Sequence, residues 1–163
     1  LLSRRQRQMC IRDSSYTTFR LEIIVMENKI LIPYTQYKEE EILPLYEAVG
    51  WSNYIQRPDM LRRAFENSLF IAAAYQENRL IGLVRVVGDG ASIVYIQDLL
   101  VLPEYQRQGI GSALLQMVLE KYRQVYQKIL LTESTEKTLA FYPKLGFTQV
   151  QDIGYTGFMY INA

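Results

Sequence analysis

Two glycines at the start of an apolar, helix-spaced stretch are the most chemically suggestive feature of this 163-residue chain. They stand in Gln106-Arg107-Gln108-Gly109-Ile110-Gly111-Ser112, just after a β-rich run that closes in Val101-Leu102-Pro103-Glu104-Tyr105. The first amides of a helix have no intrahelical acceptor, and the helix dipole adds positive potential there, so such a junction suits a phosphate group. Glycine lets the backbone approach closely because no Cβ intervenes. Arg107 can add a charge-assisted contact. Other nucleotide motifs fail on the same residues. No Gly-Lys pair exists for a Walker loop, and Leu114 occupies the third glycine position of a dinucleotide fingerprint.

What is missing limits the chemistry further. The chain has no histidine, which removes Ser-His and Cys-His nucleophile pairs. One cysteine, Cys10, supports neither an internal disulfide nor a zinc site, so no metal is expected. Tyrosine, carboxylates, lysine, backbone dipoles and water must do the work. No run of about 18 apolar residues suggests a membrane span, and no signal-like apolar core follows the basic start, so cytoplasm is the default location. The net charge of +1 hides an uneven distribution. Arg4, Arg5, Arg7, Arg12 and Arg20 against Asp13 and Glu22 make the first 25 residues +3 (5 − 2), and the rest carries −2 (13 − 15). That segment shows no core periodicity. Residues 1–25 read as a non-native or disordered arm and 26–163 as one domain; a nucleic-acid-binding arm is the lesser reading, so neither nucleic acid nor membrane is an expected partner.

The elements that position the glycine loop follow from periodicity. Lys29–Tyr34 reads as an edge strand, Lys38–Val49 as a helix opened by Glu39-Glu40-Glu41, and Pro58 as the start of a second helix. Ser68–Tyr75, Leu80–Val87 and Ser92–Leu102 read as an antiparallel meander with turns at Gln76–Arg79 and Gly88-Asp89-Gly90. A helix from about Gly109 to Arg123 follows, then a strand at Lys128–Thr132, a helix over Thr135–Leu145 stopped by Gly146, and strands at Phe147–Val150 and Gly157–Ile161. The fold class is α/β: a mixed central sheet of about six to seven strands with helices on both faces.

The loop with its flanks resembles the acetyl-CoA motif of the GNAT N-acetyltransferases, [QR]-x-x-G-x-[GA], here Gln106-Arg107-Gln108-Gly109-Ile110-Gly111. Downstream, Ala140-Phe141-Tyr142-Pro143-Lys144-Leu145-Gly146-Phe147 is similar to the helix end of that family, with Tyr142, Gly146 and Phe147 at its Y-x-x-x-G-F spacing. The resemblance covers about Lys29–Ile161 and implies a GNAT fold and transfer of an acetyl group from acetyl-CoA to an amine. It implies that backbone groups of Leu99, Leu100 and Val101 pair with the pantetheine amides, and that Arg107–Ser112 hold the pyrophosphate. Thr135 falls where many members carry an Asn that contacts the cofactor. Tyr142 matches the tyrosine that protonates the departing thiolate. A phenol near its usual pKa of about 10 stays protonated at neutral pH and can donate to developing negative charge.

The expected activity is therefore direct acetyl transfer to a primary amine of a small molecule or peptide by a monomer or homodimer. A non-catalytic acyl-CoA-binding regulator is the alternative. Trp51 and Tyr54 read either as core aromatics or as walls of an acceptor pocket, and Glu39–Glu41 as a solvated helix start or a cation site. The resemblance also implies a comparison, since some family members carry a carboxylate where this chain has Tyr95 or Gln97; strand alternation puts both on the face opposite Asp98, so no carboxylate is expected to act as general base.

Overall fold

The structure is a computed structural model and describes residues 23–161. The chain divides into two compact units, one up to Leu130 and one from Leu131 onward. The first unit contains a six-stranded sheet in sequence order: β1 (Ile24–Met26), β2 (Lys29–Pro33), β3 (Phe70–Gln76), β4 (Arg79–Gly88), β5 (Ile93–Val101) and β6 (Gln127–Leu130). All neighbours are antiparallel except β5 and β6, which pair in parallel. The parallel pair requires a crossover, supplied by α4 (Ile110–Lys121). Three helices lie between β2 and β3: α1 (Glu39–Ala48), α2 (Ser52–Ile55) and α3 (Pro58–Glu66).

Each main helix is placed by its buried stripe. α4 buries Ile110, Ala113, Leu114, Leu115, Met117 and Val118, and it seats on β4 where Gly82 has no side chain. A Cβ on Gly82 would stand 3.3 Å from Ile110 Cγ2 and 3.0 Å from the Leu100 carbonyl oxygen. α1 buries Ile42, Leu45 and Tyr46, and α3, with Pro58 at its first turn, buries Leu61 and Phe65. Arg85 and Asp98, which face the α1–α3 layer, lie an odd number of residues from Gly82 along the β4 ladder, so the two helical layers cover opposite faces.

Two sequence expectations change in this unit. The boundary expected after Val25 falls inside β1, whose Ile24, Val25 and Met26 pair with Leu31, Ile30 and Lys29; residues 1–22 of the expected arm lie outside the described residues. The second change is a β-bulge. β5 pairs Ile96 with Val86 but Asp98 with the adjacent Arg85, leaving Gln97 as an extra residue. Cross-strand partners share a face, so Asp98 has crossed to the face opposite Ile96 and now lies with Tyr95, the partner of Val87. The expected opposition of Tyr95 and Gln97 to Asp98 is therefore corrected. The inserted residue inverts the alternation on which it rested.

The second unit holds α5 (Glu136–Phe141), a 3₁₀ turn over Tyr142–Leu145 ended by left-handed Gly146, and another over Val150–Ile153. The strands expected at Phe147–Val150 and Gly157–Ile161 do not form among the described residues. β-rich sequence becomes strand only where a partner takes its backbone groups. Phe158 and Tyr160 stand 94% and 90% exposed instead.

Candidate active site

β5 runs beside β6 only from Ile93, opposite Gln127, to Ile96, opposite Leu130. Beyond the bulge it keeps β4 on one side and has no strand partner on the other among the described residues. Which groups face that open edge follows from the ladder. The Leu102 amide donates to the Ile81 carbonyl at 2.9 Å, so residues 81 and 102 exchange backbone bonds. Counting by twos, Leu83 and Leu100 do the same. Leu99 and Val101 therefore turn their N–H and C=O groups to the open edge, while Leu100 turns its own toward β4.

The edge leads into the glycine loop that stands out in the sequence. After a 3₁₀ turn at Pro103–Tyr105, Arg107 and Gly109 both adopt left-handed backbone, with φ of 62° and 82°. Side chains brace the bend. Gln106 Nε2 donates to the Val101 carbonyl (3.0 Å), Gln108 Nε2 to the Glu104 carbonyl (3.0 Å), and Glu104 pairs with Arg79 (2.8 Å). Gly109 caps α4, and the first intrahelical bond is the Ala113 amide to the Gly109 carbonyl at 2.9 Å. That leaves the Ile110, Gly111 and Ser112 amides without intrahelical acceptors. Arg107 is exposed and makes no ion pair among the described residues. Outward amides, a free guanidinium and an unblocked glycine turn fit a diphosphate-bearing ligand.

Next to the bulge, on the α1–α3 face, lies an aromatic cluster. Tyr46 packs against Trp51 (5.9 Å), Tyr54 (5.4 Å) and Phe65 (6.2 Å), and Trp51 stacks on Tyr54 at 26°. Gln97 Nε2 donates to the Tyr54 hydroxyl at 3.5 Å. Trp51 and Tyr54 are half-buried. Glu41 accepts hydrogen bonds from Tyr75 (2.6 Å) and Lys38 (3.0 Å), and Glu39 accepts from Arg62 (2.9 Å), which engages two of the three acidic residues at the start of α1.

Beneath that cluster is a buried polar group that sequence reasoning did not assemble. Arg85 Nε donates to Asp98 Oδ2, Tyr46 donates to the same oxygen at 2.7 Å, and Arg85 Nη1 reaches Ser68 Oγ at 3.2 Å. The Asp98 side chain is 0% exposed. Burial acts against the Arg85 charge, but the Asp98 carboxylate more than offsets it and holds the guanidinium pKa above its usual value. Burial, then the Asp98 charge, push the Tyr46 phenol far upward. Enclosed in this way, Asp98 is an ion-pair member and not an accessible base. An arginine inside the otherwise apolar Leu80–Val87 run was the available signal.

In the second unit, Tyr142 packs edge-on against Phe141 (5.0 Å) and Phe147 (5.9 Å). Burial raises its phenol pKa, partly offset by a hydrogen bond with Thr132. Thr135 acts locally, where its hydroxyl accepts from the Thr138 amide at 3.2 Å and caps α5. No group of three or more candidate metal ligands occurs among the described residues.

A family model described as an acetyltransferase (GNAT) domain matches residues 34–158. The chain belongs to the GNAT acetyltransferases. A solved GNAT-family acetyltransferase of Streptococcus pneumoniae is 43% identical, with a TM-score of 0.76 over 82% of this chain and 98% of its own. A probable acetyltransferase of Staphylococcus aureus is 27% identical, with a TM-score of 0.66 over 82% of this chain and 99% of its own. An uncharacterized N-acetyltransferase, ycf52, of Porphyra purpurea is 24% identical over 151 residues, 90% of this chain and 82% of that protein. The mixed six-stranded sheet with its helices is thus the GNAT fold. No described helix is long and apolar enough to cross a membrane.

Proposed function

We propose that this GNAT member transfers the acetyl group of acetyl-CoA directly to a primary amine of a small molecule or peptide. The observation that carries the reading is the continuity of two features: the open edge of β5 at Leu99 and Val101, and the outward amides and Arg107 that follow at the start of α4. The first suits an amide-bearing arm and the second a diphosphate, and acetyl-CoA has both. When bound, acetyl-CoA supplies the activated acetyl group.

The residues of the chain divide the remaining work. Leu99 offers a backbone donor and acceptor and Val101 its amide along the open edge, while Gln106, which donates to the Val101 carbonyl, and Gln108 hold the loop in shape. The amides of Ile110, Gly111 and Ser112 and the Arg107 guanidinium neutralise phosphate charge. Tyr142 keeps its proton at neutral pH, since its pKa is raised, and donates it to the departing sulfur. Asp98 stays with Arg85, so water carries the proton away from the amine. The catalytic domain includes β1, so it begins no later than Ile24. The cytoplasmic location belongs to the same proposal; one relative, a GCN5-related N-acetyltransferase of Arabidopsis thaliana (38% identical over 124 residues, 63% of this chain and 47% of that protein), is chloroplastic by name.

The experiment combines calorimetry with a thiol-release screen over amines, polyamines, aminoglycosides and peptides. The wild type should bind acetyl-CoA and release thiol with at least one amine. Gly111→Glu brings bulk and negative charge to the helix start and should weaken binding at least about tenfold, or about 1.4 kcal/mol. A wild type that fails to bind acetyl-CoA, or a folded Gly111→Glu with unchanged affinity, overturns the reading.

A further inference from the structure

The β-bulge raises a question of register. An extra residue in one strand could be expelled by a one-place slide, so something must favour the bulged pairing over the regular one. The regular alternative can be written out. If Ile96 kept Val86 and no residue were inserted, Gln97 would face Arg85, Asp98 would face Val84, Leu99 would face Leu83, and Val101 would face Ile81. Val84 shares its face with Gly82, whose missing Cβ points at Ile110 and Leu114. Asp98 would then be driven into the apolar layer under α4, with Arg85 left unpaired on the other side. In the bulged register Asp98 instead meets Arg85 and Tyr46, all three buried, with relative exposures of 1%, 4% and 0%.

The slide would also exchange the open edge. Ile81 and Leu83 turn their backbone groups toward β5. In the regular register Leu99 and Val101 would bond to β4, and Leu100 would face outward. Charge placement on one face of the sheet thus decides which amides are offered at its edge.

We propose that Arg85 and Asp98, with Tyr46, are positioning residues that pin the register of β5, so that Leu99 and Val101 rather than Leu100 present their backbone at the open edge. For its consequence on turnover, the proposal rests on the acetyl-transfer reading. The pair is poorly built for stability alone. Asp98 Oδ1 is buried without a hydrogen-bond partner among the described residues, and a buried ion pair gives little net stability over apolar packing. Its physical effect is to penalise the alternative register.

The test is the double variant Arg85→Met/Asp98→Leu, which fills the space with apolar side chains and removes the penalty. In the wild type, amide exchange should be slow at Leu100 and fast at Leu99 and Val101. The double variant should fold, with Leu100 exchanging faster and Leu99 and Val101 slower. Its acetyl-CoA Kd should rise at least about tenfold. Should the double variant fail to fold, Asp98→Asn, of the same shape but neutral, should shift the exchange pattern in the same direction. A folded double variant, or Asp98→Asn in its place, with the wild-type exchange pattern and affinity overturns the proposal. Absence of acetyl-CoA binding by the wild type would refute the acetyl-transfer reading instead, while the exchange pattern still decides the pin.

Discussion

Gly109→Ala separates two roles of the loop, backbone conformation and ligand binding. Gly109 has φ of 82°, and a Cβ there would meet only Met26 Cε at 3.5 Å, an ordinary contact. Steric overlap is therefore negligible, and the penalty is that of holding an L-residue in left-handed backbone, about 1–2 kcal/mol. For a chain of this size that lowers Tm by roughly 2–8 °C. If the backbone relaxes instead, the Ile110, Gly111 and Ser112 amides turn away from their common direction, so acetyl-CoA affinity should fall about tenfold. Gly50→Ala is the matched control, because Gly50 has φ of 81° with nothing within 4 Å and lies in the turn after α1. It should show a similar Tm loss with unchanged affinity. Calorimetry and thermal melts on both variants decide the matter. Equal effects on affinity would refute the phosphate-loop argument, and an unchanged Tm in both would refute the backbone argument.

Tyr142→Phe keeps the ring that packs on Phe141 and Phe147 and should lower kcat roughly 10²-fold with little change in acetyl-CoA affinity. Turnover within about a factor of two of the wild type would remove Tyr142 from the proposed chemistry. Because burial raises the Tyr142 pKa, its proton is retained through the neutral range, so kcat/KM should rise with pH toward the pKa of the acceptor amine and not fall below about pH 10. A limb near neutral pH that disappears in Asp98→Asn would make Asp98 a base after all. Tyr46→Phe should destabilise the fold by about 1–3 kcal/mol at neutral pH, since the hydroxyl donates to a buried carboxylate. The folded pKa of Tyr46 lies above the unfolded value, so its contribution is fully present below about pH 10 and is lost as pH rises through the folded value. The stability of Tyr46→Phe should therefore decline less steeply above pH 10 than that of the wild type; parallel declines by denaturant titration would contradict this account.

Much of the molecule was readable because the signals are local. The meander, the crossover helix and the glycine loop each follow from a few adjacent residues: apolar periods, turn glycines, and Gly109 and Gly111 before a helix-spaced stripe. The helical stripe of α4 needs no knowledge of its partner to be recognised, and the motif order around Gln106–Gly111 and Ala140–Phe147 points to the family directly. The face of Asp98 is a different kind of fact. Alternation along a strand is a local rule, but one inserted residue inverts it, and whether Gln97 is inserted depends on how β5 registers against β4. Arg85 and Asp98 lie thirteen positions apart and Tyr46 fifty-two from Asp98, so only the sheet and the α1 layer bring them together. The same reason explains the C-terminal segment. Phe147–Val150 and Gly157–Ile161 have strand-like composition, but a strand exists only with a ladder partner, and composition does not choose that partner. The sequence alone determined the helix stripes, the turns and the glycine loop; the tertiary structure decided the register of β5, the faces of its side chains and the residues that pair beneath the bulge, because these are set by contacts between segments distant along the chain.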